Sequence, residues 1–364
     1  MNRSPTILAA LALGALAAVG VAAPPRPSDK TPDDAPALHD LKGVRHVAYS
    51  PDGKSLLIHY SIPPTVNGGA HVGIWDVESG KLRVGMEKVP PTCEQIAFSP
   101  DGAKAAGISN GSKQLVLWDA SNGKALQEFP LPEWQQFMPN APFLAFTPDG
   151  GSLVSVCKKK ILRAKPGGDA KLEADAPEIW SPETTAFAPA TGALVFAANP
   201  KPGMKDGGQF MVYDLSKSGE PQTVPFPGWV RSIALTPDAK TLAVAYDWMI
   251  TGTTRTPGKV ELWDVQTWKV QSTLPPDRRN DFLNYARLMI APDAKTLAGL
   301  ATFDRNRPTA IELFGADGTI LRDITGPPPS ADLTFSPDGK TAVFVLVNRP
   351  PQFLDTATGK DKEP

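Results

Sequence analysis

The chain has 364 residues, with 39 prolines and 31 glycines, and its proline share is well above the usual ~5%. Hydrophobic residues at 41% and charged residues at 21% belong to a folded chain that can bury a core, and exclude a low-complexity or disordered one. The 37 basic and 38 acidic side chains leave a net charge of -1, without the basic excess that marks a nucleic-acid binder.

Met1 to Pro5 carries Arg3 as its one charge, and Thr6 to Ala23 follows as an unbroken small or apolar run. This predicts a signal peptide over residues 1–22, since the small residues Gly20 and Ala22 allow cleavage before Ala23. No cysteine follows the run, so a lipid anchor is not expected. An uncleaved anchor stays open, because the run is near the lower end of what spans a bilayer. The protein is therefore expected to be exported, periplasmic or extracellular, with no membrane span once the signal is removed. Residues 23–36 are rich in proline and charge and read as a tether.

Beyond the tether a short turn recurs. It stands as Ser50-Pro51-Asp52-Gly53, Ser99-Pro100-Asp101-Gly102, Thr147-Pro148-Asp149-Gly150, Thr236-Pro237-Asp238, Ala291-Pro292-Asp293 and Ser336-Pro337-Asp338-Gly339, with a weaker copy at Ala188-Pro189. The prolines are 49, 48, 41, 48, 55 and 45 residues apart, a period long enough for one supersecondary unit. Ser or Thr suits the first position of a type I turn, Pro presets φ at the second and Gly favours the fourth. Short β-branched and aromatic runs flank each turn, such as Val47-Ala48-Tyr49 before the first and Leu56-Leu57-Ile58 after it, and these read as strands. A third strand ends at Trp75-Asp76, Trp118-Asp119, Tyr213-Asp214, Trp263-Asp264, Phe314-Gly315 and Leu354-Asp355. Glycines such as Gly80 and Gly123 then open a hairpin into a fourth.

Four strands in each of seven units predict an all-β fold, a seven-bladed β-propeller of four-stranded antiparallel blades over residues 37–364. The SPDG turn, the strand after it and the Trp-Asp pair before a Gly-Lys turn resemble the WD-repeat family over about residues 37 to 359. The resemblance implies a binding or scaffolding module. Departures are present: unit three has Ile161-Leu162-Arg163 where Trp-Asp would fall, Trp268 replaces a turn glycine and the Gly-His dipeptides are largely missing. The units also resemble the Tol-system and quinoprotein propellers. The last unit stops short of a full fourth strand, so Ala37-Leu38-His39-Asp40-Leu41 is expected to close the ring as the N-terminal strand of the seventh blade.

Alternating strand directions put the SPDG and Gly-Lys turns on one face and the long connections on the other. Variable loops on a repeated scaffold carry binding residues, so the long-loop face is the expected working surface. Its candidate ligand-binding residues are Trp229, Arg231, Trp248, Arg255, Tyr285, Arg287 and Arg305, with Arg307 beyond, because aromatics and arginines anchor interfaces. The alternative is that the aromatics cover the blade tops and the arginines are solvated. Each Trp of a Trp-Asp pair is read as packing between blades.

Other chemistry is sparse. Cys93 and Cys157 allow one disulfide, which spacing does not settle. Gly107 to Gly111 matches GxSxG, but falls inside a hairpin where no strand-to-helix elbow exists. Gly252 to Lys259 is one residue too long for a P-loop and precedes no helix. His46, His59 and His71 come near the long-loop end of unit one, and imidazoles gathered there suit Zn or Cu. Pairing about the first turn sets His46 diagonally from His59. No catalytic residue and no cofactor is assigned. The sequence is read as an exported monomer that binds a protein or peptide partner and no nucleic acid, the alternative being a propeller enzyme, either a quinoprotein-like oxidoreductase or a hydrolase.

Overall fold

A computed structural model describes residues 36–61, 70–109, 113–131, 143–157, 160–175, 184–199, 207–216, 220–247, 249–251, 254–256, 258–274, 284–302, 309–315, 317–326, 332–346 and 349–363. They form seven antiparallel sheets in chain order, spanning residues 44–85, 95–130, 143–175, 185–226, 230–274, 284–326 and 332–355. Six sheets have four strands each, and the first strand of blade one lies against the first strand of blade seven, which closes the ring. The molecule is a seven-bladed β-propeller. Between the second and third strands of blade five a separate hairpin, Met249–Thr251 with Thr254–Thr256, rises on the long-loop side.

The turns explain the repeat. In blade one the Ser50 hydroxyl donates to Asp52 Oδ1 at 2.6 Å, the same oxygen accepts Lys54 N–H at 3.0 Å, and Ser55 N–H reaches Ser50 Oγ at 2.9 Å. Blades two, three, five and seven repeat the hydroxyl–carboxylate bond, from Ser99, Thr147, Thr236 and Ser336. The hydroxyl and then, in blade one, the amide hold the Asp52 carboxyl below its ordinary range. The fourth residue is left-handed: Gly53 has φ of 72°, but Ala239 and Ala294 are forced to 56° and 59°. On the following hairpin Asp76 accepts both Ser79 N–H and Ser79 Oγ, so the Asp of Trp-Asp caps its own turn.

The core lies between blades. Leu57, Val72 and Ile74 of blade one pack on Ile96, Ala105 and Trp118 of blade two. Trp75 and Trp118 are fully buried, as expected, and Trp118 overhangs Gly107 so closely that a Cβ there would sit 2.5 Å from the ring. Opposite this position the outer strand bulges in blades one, two, three, five and six, which bends it around the indole or its substitute.

The closing segment differs from the expected strand. Leu38–Asp40 is a single 3-10 turn, with Leu41 N–H bonded to Leu38 O, and the fourth-strand position of blade seven is begun instead by the C-terminal residues, where Asp361 bridges Leu354. The segment still seals the seam between blades seven and one. Leu38 and Leu41 are buried with Trp75 and Leu82 of blade one and Val343, Val345 and Phe353 of blade seven. Trp75 Nε1 donates to Pro36 O and Leu38 N–H to Gly80 O, the bonds that Glu87 makes to Trp118 and Gly123 one blade further on. A leucine pair three residues apart suits a helical turn, which is why this stretch leaves the ladder. Cys93 is a free thiol, buried beside Trp118, and burial pushes it up to about 12. Among the described residues no helix is long and apolar enough to cross a membrane.

Candidate functional site

The inner strands present one edge to the central axis, and half of their amides point away from the blade's own ladder. Those amides need acceptors. The residue five before the turn proline in one blade supplies one to the next: Ser232 Oγ accepts Leu288 N–H at 2.8 Å, and Asp332 Oδ2 accepts Val47 N–H at 3.0 Å. Around the ring this position holds His46, Gln95, Phe143, Thr184, Ser232, Arg287 and Asp332. Arginine has no acceptor to offer, so blade seven solves the problem internally, with Leu333 N–H bonded to Asp332 Oδ1 at 2.8 Å.

Asp332 thereby joins three blades. Its Oδ1 also pairs with Arg287 Nη1 of blade six, and its Oδ2 lies 3.4 Å from His46 Nδ1 of blade one. The carboxylate side chain is 4% exposed. Burial pushes its carboxyl up, but Arg287, His46 and the Val47 amide outweigh that and hold it below the ordinary carboxylate range.

The histidines are arranged differently from the sequence expectation. The turn sets Tyr49 opposite Leu56, two residues from the expected register, so His46 pairs directly with His59 and their rings stack 5.6 Å apart, while the bulge at Arg45 shifts only Val44 beyond them. His71 pairs with Tyr60 and lies on the opposite face of the sheet, against the Tyr60 ring. The three therefore do not converge, and among the described residues no cluster of three His, Cys, Asp or Glu side chains could hold a metal. Burial, then the charges of His46, Arg45 and His71, lowers His59 to about 3, so it is neutral.

On the long-loop side of blade five, Trp229 is half-buried immediately before the inner strand, and its carbonyl accepts Asp247 N–H at 2.8 Å. Asn199 of blade four clasps the next residue from both sides, accepting Val230 N–H and donating to Val230 O, each at 2.7 Å. Arg231 Nε lies 3.5 Å from Asp247 Oδ2, with 41% of its side chain exposed. Just behind, buried Glu261 pairs with Lys259 and accepts Trp263 Nε1–H at 3.0 Å.

Of the sequence candidates, Trp229 and Arg231 stand on either side of Val230 where the inner strand of blade five begins, while Arg287 pairs with Asp332. Arg255 falls on the hairpin of blade five and Tyr285 on the inner strand of blade six. Trp248, Arg305 and Arg307 lie outside the described residues. Asp332 was missed by the sequence reading. Aligning the inner strands on their turn prolines puts it in line with His46 and Arg287, but does not show that the three meet. Ser109 of the GxSxG match is a buried strand residue bonded to Thr92, and Thr254–Thr256 of the P-loop-like stretch is a short strand.

No family model matches the chain, and no curated protein does. Among solved structures it is similar to hydrazine synthase of Kuenenia stuttgartiensis, with a TM-score of 0.62 and 20% identity, over 88% of this chain and 97% of that one. It is also similar to the β-propeller domain of Cps50 (Swd1) from Myceliophteria thermophila, with a TM-score of 0.61 and 12% identity, over 89% and 98%. At such identities the likeness extends to the fold.

Proposed function

We infer that the chain is an exported, WD-repeat-like propeller that binds a protein or peptide partner through its long-loop face. The observation carrying this reading is the contrast between the two faces. One is made of short turns closed by the same Ser/Thr–Asp bonds, blade after blade. The other breaks the repeat at blade five with an added hairpin, a half-buried Trp229 and the exposed Arg231 beside Asp247. An indole next to a guanidinium supplies apolar contact and charge-assisted hydrogen bonding in one patch, as interface anchors do. Export rests on the apolar run from Thr6 to Ala23.

Immobilised protein beginning at Ala23 would be used to capture partners from a periplasmic or secreted extract. Trp229→Ala and Arg231→Ala should abolish capture, and the turn-face pair Lys104→Ala with Lys124→Ala should leave it intact; the reverse pattern sinks the reading. Residues 1–36 placed ahead of alkaline phosphatase should give active, exported enzyme, and a silent fusion removes export from the proposal.

A further inference from the structure

Asp332 is committed on both oxygens: Oδ1 to Leu333 N–H and Arg287, Oδ2 to Val47 N–H and the facing His46 Nδ1. A carboxylate used in every direction is a support. What it supports is a pair of side chains that remain in part solvent-accessible at the axis, Arg287 at 28% exposed and His46 at 21%. One Nη of Arg287 faces Asp332, and a guanidinium carries five N–H donors, more than that pairing uses. In a neutral His46 ring, a proton on Nδ1, the nitrogen 3.4 Å from Asp332 Oδ2, leaves Nε2 as an acceptor.

A donor fork and an acceptor nitrogen thus stand side by side, held by one buried group. The fork matches the two oxygens of a carboxylate. The acceptor beside it matches an N–H adjacent to that carboxylate. The last residue of a polypeptide carries this combination in its α-carboxylate and its own amide. Asp332 does not repel such a ligand, since Arg287 balances its charge, and Arg45, exposed one residue before His46, adds positive charge at the same rim.

We propose that the sector of the axial channel formed by blades six, seven and one captures the free C-terminus of a peptide partner, Arg287 taking the carboxylate and His46 Nε2 the terminal amide N–H. This deepens the partner-binding reading and rests on it, but uses residues that Trp229 and Arg231 do not touch.

The test uses the whole propeller and small probes followed by saturation-transfer NMR. N-acetylglycine holds the carboxylate and amide in the required relation, its methylamide lacks the carboxylate, and glycolate replaces the amide with a hydroxyl. N-acetylglycine should bind at least about tenfold more tightly than the methylamide, the loss typical of one charge-assisted contact. Arg287→Lys, which keeps the charge facing Asp332 but removes the fork, should lose that preference. His46→Gln should weaken N-acetylglycine and leave its preference over the methylamide in place. Should Arg287→Lys unfold, the wild-type comparison of acid with methylamide decides alone. Equal binding of the two, or no transfer at ~10 mM, overturns the proposal. Glycolate binding more tightly than N-acetylglycine also overturns it, in favour of a free hydroxy acid. The partner-binding reading itself stands or falls separately, on capture by the Trp229 and Arg231 variants.

Discussion

Asp332→Asn tests whether one buried carboxylate holds the ring shut. The substitution preserves shape and one acceptor oxygen, but puts an NH2 donor against either Val47 N–H or Arg287, both of which are donors. It also leaves the Arg287 charge without its partner. Breaking one side of a buried pair costs ~3–5 kcal/mol, and because Arg287 is 28% exposed, solvent screens part of that, so a loss of about 3 kcal/mol is expected. Ser232→Ala provides the scale for an ordinary inter-blade bond, since it strands only Leu288 N–H and should cost about 1–2 kcal/mol. Urea unfolding monitored by tryptophan fluorescence measures both. Adding Arg287→Gln to Asp332→Asn should recover part of the loss, because the unpaired charge is gone, and the cycle gives the coupling directly. Acid should act like the substitution: the folded carboxyl lies below the unfolded value of ~3.9, so its contribution is intact above that pH and disappears as pH falls through the folded value. A loss under about 1 kcal/mol for Asp332→Asn, or one equal to that of Ser232→Ala, would refute the latch.

His59 titrates at about 3 folded against ~6.5 unfolded, so protons bind the unfolded chain first and stability should fall by up to ~1.4 kcal/mol per pH unit on acidification below ~6.5. Urea midpoints from ~pH 8 to ~pH 4 follow this, and His59→Leu should flatten the slope; equal slopes would dismiss the effect. Leu38 is 1% exposed in the seam, and Leu38→Ala should cost about 2–3 kcal/mol in the same assay, whereas deleting residues 23–35 should not move the midpoint. Ala239 occupies a left-handed turn position where every other blade but six has glycine, so Ala239→Gly should raise stability by about 1 kcal/mol. Cys93, with its thiol pushed up to about 12, should resist iodoacetamide in the native protein and be labelled in urea, read by mass mapping of the peptide that carries it so that Cys157 is counted separately.

The blades were legible because each depends on local chemistry. A hydroxyl, a proline, an aspartate and a glycine within four residues make the turn, and period-two runs on either side make the strands. Register was less legible: the first turn sets Tyr49 opposite Leu56 and so His46 opposite His59, a two-residue difference that leaves no mark in the strand's composition. The closing segment was placed at the correct seam but given the wrong geometry, since Leu38 and Leu41 are spaced for a turn and the reading followed the need for a fourth strand. At the candidate site Trp229 and Arg231 could be found by residue type and loop position. Asp332 could not, because its partners come from sequence positions 46, 47 and 287, and their meeting is a product of ring closure.

Charge at the inner ring is not where a propeller gains stability cheaply. A neutral acceptor such as Ser232 satisfies the neighbouring amide without desolvating an ion, whereas blades six, seven and one bring an arginine, an aspartate and a histidine to the same position. Blades seven and one meet at the seam that the chain does not cross covalently, and blade six adjoins blade seven. An ionic tie there adds to the packing of Leu38 and Leu41 in resisting opening, and it also presents a donor fork and an imidazole at the inner ring. Closure and recognition would then share one set of atoms. A ligand bound by Arg287 and His46 would contact blades six and one together, would be released when the seam opens, and would therefore stabilise the ring by RT ln(1 + [L]/Kd), so that each tenfold excess over Kd adds about 1.4 kcal/mol to the resistance of the seam.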